Sequence, residues 1–328
     1  MRRREFISLL TGTVFAWPLA AWAQQQRKIP TVGIMWHAGS VAEEAIFLTQ
    51  IQQGLKDLGY VEGRNVTLVN TFAGEQYERF NGNAAELVRR KVDVIVAVTL
   101  SAALAAQRAT NTIPIVFIVV PDPVATKLVA SLAHPGGNIT GLSTVAADML
   151  AKRVAVFKEI VGPLSKIALM VNPSNPITTE GNIQQVRIAA ERLGMTVQVI
   201  EAAQPDQIER AFSSLQDGIN GVMILDDSLF FNERKQIATF ALQRMLPTAV
   251  FASPMVKDGA LMTYSASPLT IFRRSATYID KILKGTKPDQ LPVELPTKFE
   301  FVINLKTAKA IGLSISPTIL TRADEVIE

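Results

Sequence analysis

Six short segments hold most of the residues that could do chemistry in this chain, and each directly follows an apolar run. They are MWHAGS (35–40), VTLSA (98–102), VVPDPV (119–124), VNPSNP (171–176), LDDS (225–228) and FASP (251–254). Thr99 and Ser101 precede a helical stretch, AALAAQ. They can act as an ordinary N-cap, or their hydroxyls can join free helix N–H groups in holding an anion; the two roles are compatible. Asn172, Ser174 and Asn175 share a loop stiffened by Pro173 and Pro176, as turn formers or as hydrogen-bonding groups. Asp226 and Asp227 could hold an ammonium group by charge-assisted hydrogen bonds, or one of them could cap the next helix. Asp122, between two prolines, is either a turn former or a second candidate for that cation. Trp36 is a core residue or a ring that stacks on a ligand. His37 reads as a loop residue, and so does His134 in AHPGGN.

Other chemistries lack their residues. The chain has no cysteine and only two histidines, so thiolate and disulfide chemistry are absent. No glycine-rich phosphate loop and no metal-ligand spacing occurs, so no cofactor is expected. A serine nucleophile would have to pair Ser101 or Ser174 with His37, without a Gly-x-Ser-x-Gly elbow. An exported α/β hydrolase of that kind is the alternative function. Lys and Arg total 33 against 29 Asp and Glu, without a clustered basic patch, so no nucleic-acid partner is expected.

The elements that must position these loops alternate between apolar runs and amphipathic stretches, the pattern of a parallel α/β sheet. Strands are expected at 31–35, 66–71, 92–98 and 115–120, and again at 166–171, 196–201, 221–225 and 248–252. Helices are expected near 42–58, 78–90, 101–110, 178–193, 205–216 and 232–244. The two sets match in order and detail. Each has a first helix ending in Leu-Gly (58–59 and 193–194) and a last strand led by proline (Pro114 and Pro247). Glycine suits the left-handed position after a helix. A doubled pattern of domain length implies two similar lobes, each a parallel sheet flanked by helices. A further strand (260–264), a helix (268–284) and a last strand (299–304) imply chain crossovers between the lobes. Lobe 1 is expected to comprise 27–142 and 264–290, and lobe 2 143–263 and 291–323, with linkers near 141–144, 262–265 and 290–297. In open parallel sheets ligands bind beyond the carboxyl ends of the strands, where all six loops fall.

The first residues, MRRREFISLLTGTVFAWPLAAWA, have a basic start, a short interrupted apolar run and small residues at 21 and 23. That predicts an export signal cut before Gln24 and a periplasmic location. Arg3-Arg4-Glu5-Phe6-Ile7 fits the twin-arginine pattern; an ordinary Sec signal and an anchor helix are the alternatives. Removing 1–23 takes away three Arg and one Glu, lowering the formal net charge from +4 to +2. It would leave Trp36 as the only tryptophan.

Four segments carry a family likeness: GLKDLGYVEGRNVTL (54–68), IPIVFIVVPDPVATKLVASLAHPGGNITGLS (113–143), VNPSNP, and KILKGTKPDQLPVELPTKFEFVINLKTAKAIGL (281–313). In this order they resemble the ABC transporter substrate-binding proteins of the tryptophan/tyrosine-binding type, over nearly the whole chain beyond the export segment. The resemblance implies a type I periplasmic-binding fold. It also implies a monomer that delivers a small solute, an amino acid and often an aromatic one, to an ABC permease with its ATPase subunit. Carried over by position, Thr99, Ser101, Asp122, Ser143, Asn172, Asn175, Asp226 and Ser253 would line the cleft, with Trp36 on its rim. The chain departs from the family pattern at TLSA, at Ala266 and Ile271, and at the bulky LDDSLFFN.

Overall fold

A computed structural model describes residues 29–144, 147–174 and 176–328. The expected export segment 1–23 and Asn175 lie outside the described residues. The first half runs β1 (Thr31–Trp36), α1 (Ala45–Asp57), β2 (Thr67–Phe72), α2 (Arg79–Arg89), β3 (Val94–Val98), α3 (Leu100–Ala109), β4 (Ile115–Pro121) and β5 (Ile139–Thr144). The second runs α4 (Ala147–Val161), β6 (Lys166–Val171), α5 (Pro176–Arg192), β7 (Thr196–Glu201), α6 (Gln207–Ser213), β8 (Val222–Ile224), α7 (Ser228–Asn232), α8 (Arg234–Gln243), β9 (Thr248–Val250) and α9 (Ser253–Lys257). The chain ends with β10 (Met262–Ala266), α10 (Pro268–Leu283), β11 (Phe299–Asn304), α11 (Leu305–Ala310), α12 (Pro317–Leu320) and β12 (Glu325–Ile327).

These strands form two sheets. The first has the order β2-β1-β3-β4-β5 and is parallel throughout. The second has the order β12-β11-β10-β9-β8-β6-β7, with one antiparallel pair, β10 and β11. The segments β2-β1-β3-β4 and β7-β6-β8-β9 repeat one strand order, as the doubled sequence requires. β3 is buried at every position, as a strand covered by helices on both faces must be. In α1 the buried residues Phe47, Leu48, Ile51, Gly54 and Leu55 recur at helical spacing and form one apolar face.

That face meets α10, which belongs with the first sheet although its sequence follows a strand of the second. Pro268 starts α10, and the Ser267 hydroxyl accepts from the Thr270 N–H at 3.4 Å. Arg273 pairs with Asp57 at 2.6 Å, and the Tyr60 hydroxyl donates to Asp280 at 3.0 Å. At the crossing itself a β-carbon on Gly54 would lie 2.4 Å from the Arg273 carbonyl oxygen and 2.8 Å from the Ala276 β-carbon. Alanine at position 54 would gain about 1 kcal/mol in helix propensity. Overpacking against backbone costs about 1–3 kcal/mol and requires the helices to part. Gly54→Ala is therefore expected to cost up to about 2 kcal/mol net and to lower the denaturation midpoint. A raised midpoint in urea titration would mean that the two helices are not in close contact.

Three expected boundaries shift. Residues 141–144, read as a linker, are the end of β5, so Ser143 belongs to the first sheet and the chain leaves it after Thr144. A β-carbon on Gly141 would fall 2.1 Å from the Phe117 carbonyl oxygen, so this glycine permits close strand contact and not a turn. Residues beyond 290 also stay with the first sheet. The Val293 N–H bonds the Leu132 carbonyl at 2.7 Å, and the Glu294 carbonyl accepts from Ser143 N–H at 2.9 Å. The return to the second sheet falls between Glu294 and Phe299. The strand expected at 260–264 is β10, at Met262–Ala266, and pairs in the second sheet with β9 and β11, so the crossing expected near 262–265 falls after Ala266. Among the described residues no helix is long and apolar enough to cross a membrane.

Candidate ligand cleft

The carboxyl ends of both sheets face one cavity of about 160 Å³ between the lobes. A cavity of that size takes one aromatic ring. The lobes touch across it. The Ser228 hydroxyl donates to Glu75 Oε2 at 3.1 Å, and the Phe47 and Phe231 rings lie 4.8 Å apart. Phe47, Tyr77, Phe231, Phe251 and Phe272 supply aromatic walls. Burial, with Asp227 and Glu75 nearby, pushes the Tyr77 phenol far up, so it stays neutral.

Thr99 and Ser101 both line the cavity. Thr99 has φ +84°, a strained value for a β-branched residue, and its hydroxyl is buried without a partner. It precedes α3, whose first-turn N–H groups have no acceptor within the helix. Val119, at the adjacent strand end, also has positive φ, +59°. Strain at both strand ends bordering a cavity marks a site that the fold holds in place at some cost.

Asp226 also lines the cavity, but its carboxylate is already engaged. Arg153, from α4 and only 2 % exposed, pairs with Asp226 Oδ1 at 2.6 Å and donates to the Tyr264 carbonyl at 3.2 Å. That pairing leaves Asp226 less able than a free carboxylate to accept a cation. Asp227 lines the same wall, and its Oδ1 accepts from Asn172 Nδ2 at 3.1 Å and from the Leu229 N–H at 3.0 Å. Burial foremost, then the charge of Glu75, raises its pKa to about 6, against the pull of its hydrogen bonds and His37.

The other sequence candidates stand elsewhere. Trp36 is 0 % exposed and lies behind the wall, stacked on Phe272 at 5.9 Å, with its indole N–H bonded to Asn70 Oδ1. It packs and does not line the cavity. Asp122 is exposed and accepts from the Ala125 N–H, the turn role. The Ser143 hydroxyl turns away, donating to the Val120 carbonyl at 2.7 Å. Asn172 supports Asp227 from behind, and Ser253 is buried at the start of α9 outside the lining. The proposed nucleophile pairings also fail. Ser174 is exposed outside the cavity lining, and no described serine bonds His37. Burial opposes charge on His37, but Glu44 and Glu75 push its pKa up to about 9, so at neutral pH the ring has no free nitrogen to act as a base.

Sequence reasoning missed Arg153, Glu44, Glu75, Tyr77 and Phe272. Arg153 had a signal: with Leu150, Val154 and Phe157 it falls on the buried face of a helix, where an arginine must find a carboxylate.

A family model described as ABC transporter substrate binding protein matches residues 42–327. A tyrosine-binding protein of Clostridioides difficile (strain R20291) is 25 % identical over 261 residues, covering 80 % of this chain and 75 % of that one. Among solved structures, a conserved domain protein from Vibrio cholerae O1 biovar eltor str. N16961 is 27 % identical with a TM-score of 0.82, covering 91 % of this chain and 100 % of that one. An ABC domain in complex with L-Trp from Streptococcus pneumonia gives the same TM-score, 0.82, at 22 % identity, covering 91 % and 99 % of the two chains. The match over most of its length, on a two-sheet fold closed around one cavity, shows that this chain belongs to the ABC transporter substrate-binding proteins.

Proposed function

We propose that the protein captures an α-amino acid with an aromatic side chain and hands it to an ABC permease driven by its ATPase subunit. The observation that carries this reading is the cavity's division of labour. Aromatic rings form one region. An unpartnered hydroxyl at the start of α3 borders a second, suited to a carboxylate. Asp227 borders a third, suited to an ammonium group. Charges around the cleft favour a cation there. Among the described residues the carboxylates of Glu44, Glu75, Asp226 and Asp227 outnumber the two cations paired with them, His37 and Arg153. The tyrosine-binding relative and the L-Trp complex support the aromatic class.

The lobes close on the ligand about the chain crossings after Thr144, near 267 and at 295–298. The chain acts as a monomer outside the cytoplasmic membrane, after loss of residues 1–23 through the twin-arginine route. Calorimetry of the purified chain against the twenty amino acids tests the ligand class. Tyrosine, tryptophan or phenylalanine is expected to bind at least about 100-fold tighter than alanine, because only a ring fills the aromatic walls. Equal affinity for alanine, or no binding by any amino acid, would reject the reading. N-terminal sequencing of exported protein checks the cut before Gln24.

A further inference from the structure

His37 directly follows β1 and is only 7 % exposed, yet it lines the cavity. Its Nδ1 lies 3.2 Å from Glu44 Oε1 and 3.5 Å from Glu75 Oε1. Glu44 stands at the start of α1 and is itself almost wholly buried, held by the Ala38 N–H. Glu75 comes from the turn after β2, where its own N–H bonds the His37 carbonyl at 2.8 Å. Nδ1 makes no aligned hydrogen bond with either carboxylate, but two negative charges this close to one ring edge favour its cationic form. The groups facing this ring from all sides are Glu44 and Glu75, Tyr77 beyond Glu75, Asp227 across the cleft, and Glu43 beside Glu44. All are acidic or neutral, and together they hold the ring as an imidazolium through the neutral range, with a pKa of about 9 despite its burial.

An imidazolium donates from both nitrogens. No described residue takes the proton on Nε2. Strand register shows where that donor stands. β1 and β3 are adjacent, paired as far as Met35 opposite Ala97, so His37 and Thr99, each directly after its strand, leave the sheet at the same end, and both line the cavity. Thr99 brings to that cavity a buried, unpartnered hydroxyl at the N-cap of the ten-residue α3.

We propose that His37 is the cationic donor for the ligand's carboxylate, its Nε2–H completing a set with the Thr99 hydroxyl and the first-turn N–H groups of α3. The proposal rests on the amino-acid reading above and makes His37 a specificity-determining residue. Glu44 and Glu75 are positioning residues that act through it. A charged donor distinguishes a carboxylate from its uncharged carboxamide, which the hydroxyl and N–H groups alone would accept nearly as well.

The test compares L-tryptophan with L-tryptophanamide by calorimetry near pH 6.5, where both amines are protonated. The wild-type chain is expected to prefer the acid by about 100-fold or more. In His37→Gln, which keeps an uncharged donor, that ratio is expected to fall at least tenfold. Equal weakening of acid and amide, with the ratio kept, would reduce His37 to a packing residue and overturn the proposal. Nitrogen-15 imidazole spectra of the wild-type chain give a second readout that needs no variant. L-tryptophan should shift the His37 Nε2 signal, and the amide should not. Binding of L-tryptophan with that signal unmoved rejects His37 while the amino-acid reading stands. Binding of neither compound removes both.

Discussion

Phe231→Ala is expected to weaken binding of an aromatic amino acid about 100-fold while the chain still folds. The ring stands on α7 in the second lobe and lines the cavity. It meets Phe47 of the first lobe at 4.8 Å and Phe251 of its own at 6.4 Å, with the Arg234 guanidinium 4.8 Å over its face. Two losses add. The Phe47–Phe231 contact joins the two lobes across the cavity, and an aromatic pair contributes about 0.5–1.5 kcal/mol, so its removal is expected to favour lobe opening. Direct contact between ring and ligand contributes about 1.5–3 kcal/mol of apolar burial. Their sum, about 3 kcal/mol, is roughly two decades in affinity. Stability suffers less than the about 3–5 kcal/mol of a core Phe→Ala, because one side of this ring already borders a cavity. Calorimetry with thermal melting of the ligand-free chain separates the two effects. Affinity within about twofold of wild type would mean that Phe231 is no wall of the site.

The location of this site was legible in the sequence, but the direction of its side chains was not. Three strands, β6, β7 and β11, occupy the expected residues at both ends, and the doubled pattern correctly implied two sheets with one repeated strand order. Strand ends could be read because apolar runs stop where the chain reaches solvent or a cleft. Which way a residue turns beyond that end depends on partners far away in sequence. The Ser143 hydroxyl is captured by the Val120 carbonyl and Asp226 by Arg153, neither of which is visible locally. Trp36 is different, because strand alternation carried its answer. It shares a face with Val32 and Ile34, and all three pack in one core cluster while Met35 packs in another.

The segments that carry the family likeness mostly hold the fold. Asn304 caps α11 and donates to the Val256 carbonyl, and Asn138 donates to the Thr110 and Ile113 carbonyls. Gly141 lets β5 approach Phe117. Such positions tolerate few replacements, so they make a recognisable pattern. Cleft walls such as Phe47, Phe231 and Phe272 need only suit one ligand, and they lie in three separate elements, so no short motif announces them.

Asp227→Asn is expected to stabilise the ligand-free chain and abolish tight amino-acid binding. In the unfolded chain this carboxyl titrates near 3.9. In the folded chain burial, assisted by Glu75, raises it to about 6. The folded state thus binds the proton more tightly. Stability from this group is greatest below the unfolded value, declines as pH rises through about 6, and stays reduced above it. The penalty at pH about 7.5 amounts to up to about 3 kcal/mol. Asparagine is uncharged and keeps an oxygen for the Leu229 N–H, so the variant should melt several degrees higher there, with the gain vanishing at about pH 4. The ligand's ammonium group, however, loses its anion, and affinity should fall about 100-fold or more. For the same reason wild-type affinity should rise with pH between about 5 and 7, as the carboxylate forms. Asp226→Ala should do the opposite to stability. It strands the buried Arg153 charge, a loss of about 3–5 kcal/mol for a fully buried pair and less here because Asp226 is half exposed. Two adjacent aspartates would then have separate duties, one holding the lobe together and one holding the ligand. An Asp227→Asn chain that melts below wild type at pH about 7.5 and binds tryptophan normally would return Asp227 to the role of a helix cap.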